Sequence, residues 1–595
     1  MIVDPIPLAG PSVTHREIEC AADAAAVGWN MRAAWYIRSF HRLVGAAVGQ
    51  RHAYATSGRA AALHMAMAAL GVGPGDEVLV PEIADVSLAY CVLYTGARPV
   101  FCDVDPRSLC LSPEAAAERI TGATRAVIAA HLYGQPCDMD GVMALARARG
   151  LAVVEDATQG LGCHCGGAPA GSFGLFTTMS FSGREAVTCG EGGMLLGSDG
   201  ALMRKAVKTG ALGRSGCNPF VHDAPGFEYT MSNLQAAFGT AQMERLPELL
   251  DKKRLIASWY AERLAGVPGL RLPEEAPGTR SSFLMPLVFL EDASIVRTAF
   301  LRRLRASGVM AAPVFYPLSS MPVFAKADNP AAYGGGARAL LLPGGHNRTE
   351  DEIDYVCSAI KILLADRSVP AARVRPCGWL RYKSDVLETI GKAKKKRLAL
   401  PFAHDGADYF LRSVTAEDVE KSELVRLFAD FRRENMHVFL RRYSVTDESM
   451  QRTMRVYLEC ARDFLLFFVT GGGTVFGHMG LDSFDFQKRE CVAEGFMMRP
   501  DAPRGLAAAA SETMYDWARD SLGIRRVYNH VVGSNKKVRL LAAAQGFREV
   551  NRTALYRQEL PNGEAVFRPM YIQGHDKPDE YFVFSAKDLP PPDDS

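Results

Sequence analysis

The feature that most constrains the fold is a regular alternation of strand-like and helix-like segments between residues 51 and 200. The strand-like runs EVLVP, RPVFCDVD, AVIAAHL, LAVVEDA and TTMSFS are separated by helix-favouring stretches such as SPEAAAERI. Strands that alternate with helices are typical of a mostly parallel sheet with helices on both faces. Ser112, Pro113 and Glu114 predict a helix start, because they supply an N-cap, a first-turn proline and an acidic first turn. The sequence therefore predicts an α/β fold here.

The chain of 595 residues divides into three parts. The alternation continues to about residue 365, fades across a stretch that contains the basic run KAKKKR, and gives way to a new strand and helix at YFLRSVTAEDVE. We therefore expect a first domain over 1–365, a basic linker over 366–408 and a second domain over 409–595. No aromatic residues interleave the basic run, so we interpret it as a solvated segment and not as a nucleic-acid site.

Charge, hydropathy and cysteine content exclude several classes of function. Lys+Arg 68 against Asp+Glu 66 gives a net charge of +2, which predicts no attraction to nucleic acid or to an anionic membrane. No apolar run approaches the ~18 residues of a membrane span, and the N-terminus lacks the features of a signal peptide. Thirteen scattered cysteines indicate reduced thiols, so we interpret the protein as cytoplasmic. Cys163 and Cys165 flank His164 without a second ligand pair, and we expect no metal site.

The first domain carries several long motifs in one order. They are ALHMAMAALGVGPGDEVLVPEI, YTGARPVFCDVDP, HLYGQPCDMD, VVEDATQGLG, GSFG, TCGEGGMLL and FEYTMSNLQAAFGTAQMERL. In these motifs residues 1 to about 365 resemble the DegT/DnrJ/EryC1/StrS family of sugar aminotransferases, which use pyridoxal phosphate (PLP). The resemblance implies the PLP-dependent transferase fold type I, with a large, mostly parallel sheet and a smaller C-terminal segment. It also implies a homodimer with its sites at the subunit interface.

Part of the family's cofactor site is retained. The segment EDATQ matches a family motif like EDAAQ, which implies Asp156 as the carboxylate facing the pyridine nitrogen and Gln159 as the donor at the ring oxygen. Ser180 matches the serine that touches the cofactor phosphate. Hydrogen-bonded residues at a strand end are an equally good explanation for Asp156 and Gln159.

Other parts of that site are lost. Glu185 in SFSGREAVTCGEGG stands where the family has the Schiff-base lysine, and a carboxylate cannot form an imine. Asp85 replaces the aromatic residue that stacks on the cofactor ring. The phosphate-contacting threonine aligns with Arg59 or Ala60, and the partner-subunit residue near the phosphate aligns with Glu228.

Two interpretations of the first domain follow. Four simultaneous losses favour a retained scaffold that holds a dimer or binds a nucleotide sugar, with PLP binding in doubt. The alternative is lysine-independent chemistry with PLP or pyridoxamine phosphate, in which Glu185 acts as a general base. Relatives that dehydrate ketosugars with pyridoxamine phosphate also lack the lysine and carry a histidine there.

Residues from about 409 to 560 contain a second set of motifs. These are YFLRSVTAEDVE, GGGTVFGHMGLDSFDFQKRECVAEGFMMRP and PRGLAAAASETMYDWARDSLGIRRVYNHVVGSNKKVRLLAAAQGFREV. The segments resemble the GNAT N-acetyltransferases, which implies an α+β acyltransferase domain that uses acetyl-CoA. The family binds the pyrophosphate with main-chain N–H groups at a Gly-rich turn that opens a helix. This turn corresponds to Arg504, Gly505, Leu506 and Ala507.

The resemblance also assigns roles to single side chains. Asn535 matches an asparagine near the CoA chain, although a helix N-cap would require the same residue type. Glu494 stands where many relatives place a base or a water-holding carboxylate, or it is a strand-edge carboxylate. The tyrosine that often protonates the leaving thiolate aligns with Ala542, so water, Tyr528 or Tyr556 would have to serve.

Amination of a ketosugar followed by acetylation of the new amine is a coherent pair of steps for one chain. The sequence therefore predicts a nucleotide-sugar-modifying protein of polysaccharide biosynthesis, in which the GNAT domain acetylates an amino sugar and the aminotransferase-like domain is a scaffold or substrate-binding module. One alternative is an active PLP- or pyridoxamine-phosphate-dependent aminotransferase or dehydratase. Another is a non-catalytic binding or regulatory module, and an amino acid or peptide acceptor stays open.

Overall fold

The computed structural model forms two compact units, Ile2–Arg375 and Pro376–Ser595. It describes residues 5–215, 218, 220–365, 378–434, 441–442, 446–448, 450–451, 454–455, 464–486, 488–499, 501–532, 536–559, 565–568 and 580–590.

The first unit contains three sheets and twelve α-helices within the described residues. Its strands are β1 (His52–Thr56), β2 (Glu77–Pro81), β3 (Arg98–Cys102), β4 (Thr124–Ala130), β5 (Ala152–Asp156), β6 (His164–Cys165), β7 (Ala168–Pro169), β8 (Phe176–Ser180), β9 (Gly193–Gly197), β10 (Leu270–Arg271), β11 (Thr279–Arg280), β12 (Leu287–Leu290), β13 (Ala312–Pro313) and β14 (Ala339–Leu341). Its helices are α1 (His15–Val27), α2 (Trp35–Val48), α3 (Arg59–Leu70), α4 (Ser87–Tyr94), α5 (Pro113–Glu118), α6 (Met139–Arg149), α7 (Gly200–Gly210), α8 (Asn233–Glu244), α9 (Leu246–Leu264), α10 (Arg297–Ala306), α11 (Pro330–Arg338) and α12 (Glu350–Ala365).

The largest sheet has the strand order β1-β9-β8-β5-β4-β2-β3. The pairs within β8-β5-β4-β2-β3 are parallel, and β9 runs antiparallel to its neighbours β1 and β8. The predicted mostly parallel sheet is therefore confirmed. The predicted helix start is confirmed as well, because the Ser112 side chain accepts a hydrogen bond from the Ala115 N–H at 3.1 Å and Pro113 opens α5.

Within the described residues, the second unit is built on one ten-stranded sheet. Its strands are β15 (Ala399–His404), β16 (Ala407–Ser413), β17 (Arg441–Arg442), β18 (Leu465–Gly471), β19 (Thr474–Asp485), β20 (Glu490–Met498), β21 (Arg526–Val532), β22 (Arg548–Glu559), β23 (Ala565–Arg568) and β24 (Glu580–Asp588). Their order in the sheet is β15-β16-β18-β19-β20-β21-β24-β22-β23-β17. The helices are α13 (Gly378–Lys396), α14 (Ala416–Val419), α15 (Ser422–Glu434), α16 (Leu506–Leu522) and α17 (Lys536–Ala544).

The structure differs from the linker expected over 366–408. Helix α13 and strand β15 occupy most of that range, and β15 pairs with β16 from Ala399↔Arg412 to His404↔Ala407. The reason is an apolar stripe on α13, whose Val386, Ile390 and Ala393 are buried in the core of the second unit. The basic run forms the end of this helix. Its many charges make the apolar stripe difficult to recognise in the sequence.

Three further features concern thiols, metals and membranes. The ten cysteines in the described ranges are free thiols. In those same ranges, no group of three or more His, Cys, Asp or Glu side chains is placed to hold a metal ion. No helix of the described chain combines the length and apolar character needed to cross a bilayer.

Candidate functional site

The retained site residues of the first unit meet at the carboxyl ends of two neighbouring strands. Asp156 ends β5 and Ser180 ends β8, and the two strands are paired in parallel. Thr158 connects them, because its N–H donates to Asp156 Oδ1 at 3.1 Å and its Oγ1 accepts from the Ser180 N–H at 3.0 Å. Ligands of open parallel sheets bind at this edge.

The side chain of Gln159 is hydrogen-bonded to the main chain. Its side-chain oxygen accepts a hydrogen bond from the Tyr133 N–H at 2.8 Å. Tyr133 has a φ of 57°, a conformation that few non-glycine residues adopt. The side-chain oxygen of Gln159 therefore supports this unusual backbone conformation, and its amide nitrogen takes no part in that bond.

Arg59 places a cation between two of the site's carboxylates. Its Nη2 lies 2.6 Å from Asp85 Oδ2, and its Nη1 lies 3.5 Å from Asp156 Oδ2. Its Nε also donates to Ser87 Oγ at 3.1 Å. The side chains of Arg59 and Asp156 are 14% and 5% exposed, so little water weakens their attraction.

These contacts favour the charged forms of Arg59 and Asp85. Burial acts to raise the pKa of Asp85, but the Arg59 guanidinium and two hydrogen bonds from Ser87 outweigh it, so the pKa lies below its usual value. Burial acts to lower the pKa of Arg59, but the charges of Asp156 and Asp85 outweigh it and raise the pKa. Arg59, Asp85 and Asp156 therefore form an ionic bridge at the sheet edge where Asp156 and Ser180 lie.

Glu185 lies beside this bridge in the segment between β8 and β9. Burial raises the pKa of Glu185 to about 7; the Arg59 charge opposes the rise and the Asp156 charge adds to it. Its Oε1 accepts a hydrogen bond from Ser182 Oγ at 3.3 Å. Its Oε2 is buried and has no hydrogen-bond partner among the described residues. Glu185 is thus a buried carboxyl group with one oxygen unpaired within the described chain, and folding favours its neutral form.

Glu185→Gln is expected to stabilise the protein at about pH 8 by up to about 3 kcal/mol and to leave it unchanged at about pH 4. Because the pKa rises from 4.5 to about 7 on folding, the free energy of unfolding of the parent falls as the pH rises through that window. Thermal melts across the pH range measure the difference. Glu191→Gln, at an exposed position of the same segment, is the control. An equal gain at both ends of the pH range would contradict this account.

The position of Arg59 depends on a close backbone approach. A Cβ at Gly193 would lie 2.4 Å from the carbonyl carbon of Gly58 and 2.7 Å from the Arg59 nitrogen. Gly193→Ala is therefore expected to lower the free energy of unfolding by about 1–3 kcal/mol, because neither backbone can yield freely. Gly183→Ala is the matched control, since a Cβ there would meet nothing within 4 Å. Denaturant melts compare the two, and equal stabilities would contradict the prediction.

The residues at this edge do not fit PLP held as a Schiff base by the protein. Position 185 offers a carboxylate where the cofactor needs an amine, and Asp85 offers a charge where it needs an aromatic ring. Asp156, the carboxylate for the pyridine nitrogen, already contacts Arg59. Glu228 is exposed and adds an anion where the cofactor phosphate would need a donor.

The role of Arg59 was not evident from the sequence, in which this position showed only the loss of a hydroxyl group. The available signal was the pairing of two unusual residues: a new arginine and a new aspartate, Asp85, occur together among the changes at one site. Opposite charges that enter one buried site are expected to pair.

In the second unit, the pairing between strands β20 and β21 ends just before Glu494, the predicted base. Strands β20 and β21 pair in parallel from Glu490↔Arg526 to Ala493↔Asn529, and no further pair follows in the described parts of these strands. Glu494 is the next residue, and its backbone lies opposite Gly480 on β19. Glu494 therefore stands where the sheet opens.

The turn that follows β20 has the geometry of an anion site. Gly505 has a φ of 82°, which favours glycine, and it begins α16 without a side-chain cap. Arg504 and Gly505 are exposed. The Ala507 N–H has no hydrogen-bond acceptor in the described part of the chain. A free amide at the start of a 17-residue helix attracts anions.

Asn535, predicted to lie near the CoA chain, is outside the described residues. The Tyr528 hydroxyl donates to Glu490 Oε2 at 3.3 Å, within the paired part of β20 and β21. Ala542 is buried on α17, as its apolar side chain requires.

Comparisons with known proteins match both units. The GDP-perosamine synthase of Caulobacter vibrioides is 36% identical over 368 residues, which cover 60% of this chain and 98% of that protein. The GDP-perosamine synthase of Vibrio cholerae is 32% identical over 361 residues, covering 60% and 98%. The crystal structure of the aminotransferase TlmJ from Streptoalloteichus hindustanus has a TM-score of 0.57 and 31% identity, covering 61% of this chain and 99% of its own.

Family models divide the chain in the same way. Residues 409–548 match the acetyltransferase (GNAT) domain, and residues 11–361 match the DegT/DnrJ/EryC1/StrS aminotransferase family. Both resemblances seen in the sequence are thereby confirmed. The chain belongs to the DegT/DnrJ/EryC1/StrS aminotransferase family and carries a GNAT acetyltransferase domain that follows the family domain in the sequence.

Proposed function

We propose that the second domain transfers the acetyl group of acetyl-CoA to the amino group of a nucleotide-linked sugar. The observation that carries this proposal is the opening between β20 and β21 at Glu494, followed directly by the uncapped helix start at Gly505. An opening in the sheet gives a thioester arm access to main-chain groups, and the helix start attracts a diphosphate. The two GDP-perosamine synthases that match the first domain are named for a GDP-linked sugar, which supports a nucleotide sugar as acceptor.

The chemistry assigned to these residues is an acyl transfer. The amine nitrogen attacks the thioester carbonyl, a C–N bond forms, the C–S bond breaks, and CoA leaves as a thiol after taking up a proton. Glu494 accepts the proton that the amine loses. The Ala507 amide and the Arg504 charge hold the diphosphate.

The first domain serves, in this proposal, as a dimer scaffold or as a module that binds the nucleotide sugar. Glu185 and the ionic bridge of Arg59 support a site released from PLP chemistry. The competing proposal, an active PLP or pyridoxamine phosphate enzyme, requires the cofactor to displace Arg59 from Asp156.

Release of CoA thiol, followed optically with the purified full chain, tests the proposed reaction. The panel contains nucleotide-linked amino sugars, the free amino sugars and a short peptide with a free amine. Turnover with the nucleotide-linked amines is expected to exceed turnover with the others. Preference for the peptide would reassign the acceptor. Absence of CoA binding would overturn the acetyltransferase proposal and favour a non-catalytic module.

The protein is expected to be a homodimer. Large apolar side chains are exposed at Trp29 and Met31, between α1 and α2, and at Trp35, the first residue of α2; Met31 is 98% exposed. Such a group of exposed apolar side chains is typical of an interface. Sedimentation should therefore give twice the chain mass of 64.7 kDa, and Met31→Asp with Trp35→Asp should give the monomer. A monomeric parent would contradict this expectation.

A further inference from the structure

A histidine outside the matched GNAT region contacts the anion-site turn. His404 ends β15, and its Nε2 lies 2.7 Å from the main-chain oxygen of Arg504. Because a carbonyl oxygen only accepts hydrogen bonds, Nε2 carries a hydrogen and donates it. The side chain of His404 is 16% exposed, and its bond to the exposed Arg504 lies at the surface. Asp405 Oδ2 lies 3.5 Å from the same nitrogen but is 79% exposed, which weakens its competition for that hydrogen.

The same imidazole ring also packs against the glycine of the turn. A Cβ at Gly505 would lie 3.0 Å from His404 Cε1. Gly505 caps α16 without a side-chain hydrogen bond. The turn therefore receives its side-chain support from β15, a strand that lies before the matched residues 409–548.

We propose that His404 is a positioning residue for the diphosphate of acyl-CoA. By holding the Arg504 oxygen, which would repel an anion, His404 fixes the turn in the conformation that leaves the Ala507 amide free. Its action on the ligand passes through the main chain of Arg504 and Gly505. This inference rests on the proposed use of acetyl-CoA by the second domain.

The full-length chain and three variants test this role. His404→Phe keeps an aromatic ring and removes the donor, whereas His404→Gln keeps an N–H donor. Lys392→Ala, at a position on α13 that is 62% exposed, is the control. Calorimetry gives the Kd for CoA, and competition gives the Kd for pantetheine, which has the thiol arm but no diphosphate.

His404→Phe is expected to weaken CoA binding by up to about tenfold, the effect of one hydrogen bond, and to leave pantetheine binding unchanged. His404→Gln should recover most of the CoA affinity, and Lys392→Ala should match the parent. Equal CoA affinity of His404→Phe and the parent would overturn the inference and leave the proposed function standing. An equal loss for CoA and pantetheine would also overturn it, since that result indicates general damage to the site. A parent that binds no CoA would overturn the proposed function and this inference together.

Discussion

Glu494→Gln is expected to lower kcat for acetyl transfer by about 100-fold while the KM for acetyl-CoA stays unchanged. Glutamine has nearly the same shape but cannot accept the proton that the amine loses. The residue stands directly after the last position at which β20 pairs with β21, where the sheet opens. Initial-rate measurements with a nucleotide-linked amino sugar separate the two constants.

Glu490→Gln is the matched control for this prediction. It lies four residues earlier on the same strand, and its carboxylate accepts from Tyr528 and lies 3.6 Å from Arg526 Nη1. Its loss is expected to change kcat by less than about twofold, because the paired strands exclude substrate there. A Glu494→Gln enzyme with the kcat of the parent would transfer the role of base to water or to another group.

Restoring a lysine at position 185 is expected to be insufficient for PLP binding. In Glu185→Lys the new amine faces the guanidinium of Arg59, and Asp156 remains paired with that cation. The double variant Glu185→Lys with Arg59→Ala frees Asp156 and removes the repulsion. We expect only the double variant to retain about one chromophore per chain after dialysis.

Absorbance between about 300 and 500 nm, before and after PLP is added and dialysed away, measures the retained cofactor. Arg184→Lys, an exposed position next to Glu185, controls for PLP that reacts with surface lysines. A chromophore retained by the parent would support the active PLP or pyridoxamine phosphate alternative. A chromophore retained by Glu185→Lys alone would contradict the role given to Arg59.

The fold was predictable because its motifs are local and ordered. Asp156 and Ser180 each end a strand-like run, so the sequence places them at the same edge of a parallel sheet. Ser112 predicts its helix start from three adjacent residues. The physical information in these cases lies within a few positions of chain.

The ionic bridge and the added elements of the second unit were not predictable in the same way. Arg59 and Asp156 are 97 positions apart, and only the folded sheet shows that their charges meet. In α13 the buried stripe of Val386, Ile390 and Ala393 lies beside a conspicuous basic run. Burial on one face decides the structure, whereas the net charge of the segment suggested a solvated linker.

The bridge at Arg59 changes what the first domain needs from its surroundings. A protein that holds a small molecule gains stability that varies with the concentration of that molecule. Here the cation that neutralises Asp156 and Asp85 is Arg59, a part of the polypeptide. Its stabilising effect therefore does not vary with the concentration of a ligand. In the proposed role as a scaffold, the folded state of this domain would therefore not depend on the supply of PLP.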